Sequence, residues 1–200
     1  MHITLISGSH RQNSQSSKVA HYLSAQLGLQ GVSTDIIDLA GNPLPLWDGL
    51  HSKEASSTGK IWQPMLEKLK KAVGFIVIAP EWHGMVPAGL KNFFLFTSQA
   101  EMGHKPALIV GVSAGIGGAY VVNELQNSGY KNNRLLYLPE HLIVRNVNNV
   151  MNEGAEANSE DAYIRRRAAF ALRILLSYAE ALKPVRASGL TIDPEFPNGM

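Results

Sequence analysis

The segment from Gly8 to Ser17 combines several hydroxyl groups with one arginine, a composition suited to binding an anionic group. It lies between a short apolar run that ends at Ile6 and a helical pattern, so it is predicted to be a strand-to-helix turn. Helix-terminal amides and the helix dipole favour an anion there, and a guanidinium group suits phosphate oxygens. The alternative is a solvated turn whose serine or asparagine only caps the helix. The candidate phosphate ligands are Ser9, Arg11, Ser14, Ser16 and Ser17.

A second segment, residues 80–92, contains groups suited to a flat aromatic ligand. It follows a continuous apolar run and places Trp82 two residues before Gly84, which offers a ring face beside accessible backbone. Glu81 is a candidate base, but no second titratable partner lies near it in the sequence. A single loop histidine such as His83 is more often a surface or packing residue than a catalyst.

A third segment, Ser113 to Gly118, is rich in glycine and follows another apolar run. Successive amides of such a turn can converge on a developing negative charge, and Ser113, Ala114 and Gly115 are the candidates. The alternative is close packing between a strand and a helix. No Gly-x-Ser-x-Gly motif occurs, which argues against an acyl-transfer triad.

The three segments are joined by an alternation of predicted strands and helices. Apolar runs predict five strands, at residues 3–6, 34–39, 75–79, 107–112 and from 135 onwards. Helical spacing predicts five helices, of which the third covers 87–99 and the last covers 159–183. Pro64 is expected in the first turn of the second helix, where a proline is tolerated.

This alternation predicts an α/β fold, a three-layer α/β/α sandwich with a five-stranded parallel sheet of order 2-1-3-4-5. The three segments follow strands one, three and four, so they are expected to meet at the carboxyl edge of the sheet. We expect one domain over residues 1–183 and a loosely ordered tail over 184–200.

Composition narrows the classes of function. The chain has no cysteine, which excludes disulfides, cysteine-ligated metal centres and thiol nucleophiles. Its 18 basic and 16 acidic residues leave a net charge of +2, which does not indicate nucleic acid as the main partner. The run 165–167 (Arg-Arg-Arg) is interpreted as a solvated or inter-subunit helix face. No His-x-x-x-His pair, membrane-spanning stretch or signal peptide is recognised, so we expect a cytoplasmic protein without metal or membrane partner.

Taken together, the three segments resemble those of the flavodoxin-like NADPH-dependent FMN reductases, which include quinone, azo-dye and chromate reductases. Residues 8–14 match a Gly-Ser-x-Arg-x-x-Ser motif, and residues 80–92 match Pro-Glu-Tyr-Asn-Gly-Ser-Val-Pro-Gly-x-Leu-Lys-Asn. Residues 113–118 match a Ser- and Gly-rich turn, and the resemblance covers about residues 1–183. The sequence departs from the family pattern at Ser16 (for Asn), Trp82 (for Tyr), His83 (for Asn) and Met85 (for Ser).

The resemblance implies which residues contact FMN. The candidate phosphate ligands of the first segment are implied to hold the FMN phosphate. Residues of the second segment are implied to run along the isoalloxazine ring, and those of the third to meet its other edge or the ribityl chain. The ring contacts implied are Pro80, Glu81, Trp82, His83 and Gly84, and the contacts from the third segment are Ser113, Ala114 and Gly115.

The same resemblance implies an oxidoreductase that transfers hydride from NADPH or NADH through FMN to a quinone, free flavin or similar small acceptor. Hydride transfer needs no acid–base side chain, so no catalytic residue is assigned. A homodimer or homotetramer is implied, and the loop 43–59 is expected to form the upper wall of the site. Two alternatives stay open, a flavodoxin-type electron carrier and a non-enzymatic FMN-binding module.

Overall fold

The computed structural model describes residues 1–49 and 56–200, and it contains one parallel five-stranded sheet. The strand order is β2-β1-β3-β4-β5, so the predicted flavodoxin-like fold class is confirmed. The strands are β1 (His2–Ser7), β2 (Ser33–Asp38), β3 (Gly74–Pro80), β4 (Pro106–Val112) and β5 (Leu136–Val144).

Helices cover both faces of this sheet. In the described residues they number seven, α1 (Gln15–Gly28), α2 (Ser57–Lys71), α3 (Ala88–Leu95), α4 (Gln99–Met102), α5 (Ala119–Gln126), α6 (Ser159–Ala181) and α7 (Lys183–Ala187). A short 3-10 turn, Val147–Asn149, follows β5.

The sheet separates two apolar cores. Alternate side chains of a strand point to opposite faces, so Leu5 and Ile76 pack with α1 and α6. Phe75 and Val77 pack on the other face with α2, α3 and α5. Strands β1, β3 and β4 are buried along their whole length, as expected of parallel strands covered on both sides.

The predicted extent of the third helix, residues 87–99, is wrong. Helix α3 ends at Leu95, and a separate helix, α4, begins at Gln99. The break comes from a capping box at Ser98. Its hydroxyl accepts a hydrogen bond from the amide of Ala100, and the Glu101 carboxylate accepts one from the amide of Ser98. These bonds satisfy the start of a new helix and so favour a break there.

The expectation for Pro64 is also wrong, since it lies in the interior of α2 rather than in its first turn. A proline there removes one backbone hydrogen bond, which leaves the carbonyl of Lys60 without its usual donor. Both Pro64 and Lys60 are exposed, so water can satisfy that carbonyl.

The chain end contacts the rest of the molecule. Helix α6 ends at Ala181, and α7 begins at Lys183 with Pro184 in its first turn, where a proline is tolerated. Arg186 donates to the carbonyl of His104 at 3.0 Å, and Arg134 donates to the carbonyl of Thr191 at 3.5 Å. The division of the chain at residue 183 stays a prediction.

Candidate cofactor-binding site

The turns after β1, β3 and β4 border one cavity of about 270 Å³ at the carboxyl edge of the sheet. The sequence predicted this convergence from strand order alone. The cavity is lined by Ser9, Arg11, Gln12, Asn13, Ser14, Gln15, Ser16, Pro80, Glu81, Trp82, Val112, Ala114 and Val147.

The first turn is held by hydrogen bonds from its backbone amides to its own serine side chains. Ser14 caps α1, and its side-chain oxygen accepts a hydrogen bond of 3.1 Å from the amide of Ser17. The Ser9 hydroxyl oxygen accepts one of 3.2 Å from the amide of Arg11. The turn therefore caps α1, and it also presents the N-terminus of this helix to the cavity.

Ser16 gives the clearest sign of an anionic ligand. Its side chain is 1% exposed, and its hydroxyl has no hydrogen-bond partner among the described residues. A buried hydroxyl without a partner is costly and rare in folded proteins. Because Ser16 lies in the cavity wall at the positive end of α1, a phosphate oxygen would satisfy it, and the residues present fit a phosphorylated cofactor.

Ser17 is not brought together with the other candidates. Its hydroxyl donates to the carboxylate of Asp38 at 2.8 Å, and it does not line the cavity. Successive helix positions differ by about 100° in direction, so Ser16 faces the cavity while Ser17 faces β2.

The first and second turns touch through Trp82. The guanidinium of Arg11 lies 4.6 Å from the centre of the Trp82 ring, a cation–π distance. The His10 ring meets the same indole edge-on, with the ring centres 4.7 Å apart. The charged group suited to a phosphate and the aromatic face suited to a planar ring are thus neighbours.

A two-residue hairpin turn presents Trp82. Reciprocal backbone hydrogen bonds of 3.2 and 2.9 Å join Trp82 and Met85. The two central residues, His83 and Gly84, have positive φ values of 53° and 73°, which identifies the primed turn that most often carries Asn-Gly. His83 is exposed at the tip of the turn and does not line the cavity.

The third turn is joined to the end of β5. The amide of Ser113 donates to the carbonyl of Val144 at 2.9 Å, and the amide of Val147 donates to the carbonyl of Ser113 at 3.1 Å. The amide of Gly115 donates to the Ser113 hydroxyl at 3.2 Å. Ala114 lines the cavity, whereas Ser113 and Gly115 shape the turn beside it.

Two of the amides at the start of α5 already have an acceptor in the protein. One carboxylate oxygen of Glu81 accepts hydrogen bonds from the amides of Gly118 at 2.8 Å and Tyr120 at 3.0 Å. Glu81 is therefore engaged in holding two turns together, a role that sequence reasoning missed because the partners are 37 and 39 residues away in the chain.

Sequence reasoning also missed part of the cavity wall. Gln12, Asn13 and Gln15 belong to the first turn, but they were not named as contacts. Val147 follows β5, whose carboxyl end lies at the same edge of the sheet. The order of the strands predicts such a position, but an apolar residue gives no chemical signal of its own.

Buried Asp161 fixes the segment that follows Val147. Its carboxylate accepts hydrogen bonds from the amides of Met151 at 2.8 Å and Ala157 at 3.0 Å, and from the Arg165 guanidinium at 2.9 Å. Burial favours a raised pKa for Asp161, but the hydrogen bonds from Arg165 and the two amides outweigh it and lower the pKa to about 2. A charged Asp161 thus holds the chain between Met151 and Ala157 in place.

Another cavity, of about 650 Å³, lies beside α1 and α6. Its two strongest cations are already paired with protein groups. Lys18 donates to the carbonyl of Val150 at 2.9 Å, and Arg165 donates to the carbonyl of Asn152 at 2.7 Å. The cationic groups of this cavity therefore already bind carbonyl groups of the protein, which makes it a weaker candidate for an anionic ligand than the cavity at the carboxyl edge.

Within residues 1–49 and 56–200, no group of three or more potential ligands is placed to hold a metal ion. Over the same residues no helix is both long and apolar enough to cross a membrane.

The strand order defines a flavodoxin-like fold, and one cavity at the carboxyl edge of its sheet is lined by a hydroxyl-rich turn, an arginine and an aromatic ring. Comparison with known proteins adds that residues 1–149 match the model of the NADPH-dependent FMN reductases. The chain belongs to this family. It is an oxidoreductase, and the predictions of family, enzyme class and FMN as cofactor are confirmed.

Two relatives are similar to this chain in sequence. The NADPH azoreductase of Bacillus sp. strain OY1-2 is 29% identical over 129 residues, which cover 64% of this chain and 68% of the relative. The 2-hydroxy-1,4-benzoquinone reductase of a Burkholderia species is 29% identical over 147 residues, 70% of this chain and 77% of the relative.

A solved structure supports the fold. The flavoenzyme NAD(P)H:(acceptor) oxidoreductase FerB from Paracoccus denitrificans superposes with a TM-score of 0.72 at 18% identity. The match covers 90% of this chain and 97% of that one.

Proposed function

We propose that this protein transfers reducing equivalents from NADPH or NADH, through bound FMN, to a quinone, free flavin or similar small acceptor. The family supplies the cofactor and the donor. The acceptor class is supported by relatives named as an azoreductase and a benzoquinone reductase.

One observation carries the proposal. A single cavity has the unpaired Ser16 hydroxyl and the Arg11 guanidinium on one wall and the Trp82 ring on another. A ligand that satisfies both walls is anionic at one end and flat at the other, which is the chemistry of a flavin mononucleotide.

The first turn is proposed to bind the FMN phosphate through Ser9, Arg11, Ser14 and Ser16. The Ser16 hydroxyl donates one neutral hydrogen bond, and Arg11 adds a charged fork. Ser17 is proposed to act indirectly, since its hydroxyl holds α1 against Asp38.

The second and third turns are proposed to enclose the ring. The second turn offers Pro80, Glu81 and Trp82, which line the cavity, along one side of the ring. His83 and Gly84, which lie at the exposed tip of the same turn, are proposed to contact the edge of the ring. Ala114, between Ser113 and Gly115, meets its other edge or the ribityl chain.

When bound, FMN supplies the hydride-accepting and hydride-donating chemistry. The chain's own residues bind and orient the cofactor and exclude water from it. No side chain is required to move a proton during hydride transfer, so no acid–base catalyst is proposed.

A homodimer or homotetramer in the cytoplasm is also proposed. The apolar side chains of Met85, Ile116 and Tyr120 are 55%, 83% and 71% exposed beside the site, which supports their coverage in an assembly. Phe93 and Phe94 are buried in the core and do not contribute to this exposed surface.

The experiment is to purify the protein, saturate it with FMN and follow NADPH and NADH oxidation with and without a quinone. We expect oxidation that the quinone accelerates and that depends on FMN. A protein that binds FMN but oxidises neither nucleotide would be an electron carrier and would contradict the proposal. Light scattering gives the oligomeric state independently.

A further inference from the structure

Glu81 bridges the two turns proposed to enclose the ring. Its carboxylate accepts hydrogen bonds from the amides of Gly118 and Tyr120, at 2.8 and 3.0 Å. Its own amide donates to the carbonyl of Val112 at 2.9 Å. Glu81 therefore holds both ends of the third turn, one through its backbone and one through its side chain.

Helix α5 is capped by a residue of the second turn. The residue at its N-cap is Gly118, which has φ of 103° and no side chain to offer. Most helices satisfy their first amides with a serine, threonine, aspartate or asparagine at that position. Here the carboxylate of Glu81 replaces such a cap from outside the helix.

The third turn is shaped around this carboxylate. A Cβ atom added to Gly117 would lie 2.5 Å from the nearer oxygen of Glu81, so the carboxylate would have to move away. Glycine at position 117 therefore leaves space for the carboxylate where it lies.

The Glu81 carboxylate also distinguishes the two helix N-termini at this edge of the sheet, those of α1 and α5. Converging amides and a helix N-terminus attract one negative charge. At α5 that charge is the carboxylate of Glu81, whereas at α1 the Ser16 hydroxyl has no partner among the residues that the structure describes.

We propose that Glu81 is a positioning residue: its carboxylate locks the third turn against the second, fixes the ring-binding face and leaves the first turn as the phosphate site. This inference rests on the proposed function for its ligand. The backbone of Glu81 stays a proposed contact of the ring, whereas its carboxylate acts through Gly118 and Tyr120.

The test compares Glu81→Ala and Glu81→Gln with wild type. We expect Glu81→Ala to weaken FMN binding about tenfold or more, because two amides lose a charged acceptor. Glu81→Gln keeps one acceptor oxygen, so we expect its FMN affinity to stay within about threefold of wild type. It removes a negative charge beside the ring, so the midpoint potential of the bound FMN is expected to become more positive.

Glu101 provides the matched control. It is 3% exposed and accepts a backbone hydrogen bond from Ser98, but α4 precedes β4 and so lies towards the opposite edge of the sheet. Glu101→Ala and Glu101→Gln are expected to lower stability in urea while leaving FMN affinity and midpoint potential unchanged.

The inference fails if Glu81→Ala binds FMN as wild type does, or if Glu101→Ala weakens FMN binding equally. If Glu81→Ala does not fold, an unchanged midpoint potential in Glu81→Gln overturns the inference instead. Failure of wild type to bind FMN would refute the proposed function. In that case hydrogen exchange at the Gly118 and Tyr120 amides of FMN-free Glu81→Ala tests the lock: faster exchange than in wild type supports it, and unchanged exchange contradicts it.

Discussion

Acidification is expected to release the segment after β5, because Asp161 holds that segment only when it is charged. Asp161 is fully buried. Burial favours a raised pKa, but hydrogen bonds from Arg165 and from the amides of Met151 and Ala157 lower it from 3.8 to about 2. The charged form therefore binds to its surroundings more strongly in the folded than in the unfolded protein.

The size of the effect follows from the shift. The difference between 3.8 and about 2 is roughly 1.8 pKa units, which corresponds to about 2.5 kcal/mol at about 1.4 kcal/mol per unit. The pKa is depressed in the folded state, so this stabilisation is fully present above the unfolded value near 3.8. It is lost as the pH falls towards about 2.

The assay is urea unfolding of wild type and Asp161→Asn at several pH values between 7 and 2. At pH 7 we expect Asp161→Asn to lose about 3 kcal/mol, because Arg165 is left partly buried without its carboxylate. As the pH falls, the variant should lose about 2 kcal/mol less than wild type.

Glu180→Gln is the control. Glu180 lies on α6 like Asp161, but it is exposed and forms an ion pair with Lys183 at 2.7 Å. Its removal is expected to change stability by less than about 1 kcal/mol. Equal acid sensitivity in wild type and Asp161→Asn would refute the reasoning.

Three further predictions concern the turns themselves. Arg11→Ala should weaken FMN binding by about 5- to 30-fold, since it removes a charged phosphate contact of about 2 kcal/mol. The loss is reduced in part because wild-type Arg11 gives up its contact with Trp82 when it binds the phosphate. Riboflavin, which lacks the phosphate, should bind Arg11→Ala as it binds wild type, and equal weakening of both ligands would contradict this. His83→Asn should stabilise the protein by about 0.5 kcal/mol in urea, because asparagine tolerates positive φ better in this turn, and a loss of stability would count against the turn type. Gly117→Ala should displace the Glu81 carboxylate and raise the FMN dissociation constant, measured by fluorescence quenching. An alanine variant that binds FMN normally would show that the turn has room.

The fold could be predicted because its central strands carry their own signal. The β1, β3 and β4 segments are continuously apolar, and that pattern is typical of strands buried on both faces. Helix ends were harder. The break before α4 depends on a capping box at Ser98, and the tolerance of Pro64 depends on its exposure, which a local pattern does not give.

The three turns of the site could also be located, because strand order brings the loops after β1, β3 and β4 to one edge. The direction of individual side chains could not. Ser16 and Ser17 are adjacent serines, yet one lines the cavity and the other binds Asp38. The role of Glu81 depends on contacts across almost forty residues, which spacing does not reveal.

The loop 43–59 was predicted to form the upper wall of the site, and residues 50–55 of that loop lie outside the described residues. Next to them, the amide of Trp47 donates to the side chain of Asn92 at 2.9 Å, and Asn92 donates to the carbonyl of Pro45 at 2.8 Å. These bonds attach residues 45–47 to α3, and the wall itself stays a prediction.

The central claim is that one cavity holds a phosphate at the start of α1 and a flat ring beside Trp82. The most direct measurement is the dissociation constant of FMN compared with that of riboflavin, by quenching of flavin fluorescence on the FMN-free protein. We predict that FMN binds roughly 100-fold more tightly, because the phosphate gains at least two hydrogen bonds to Arg11 and Ser16. Equal affinity for the two flavins, or binding of neither, would contradict the claim.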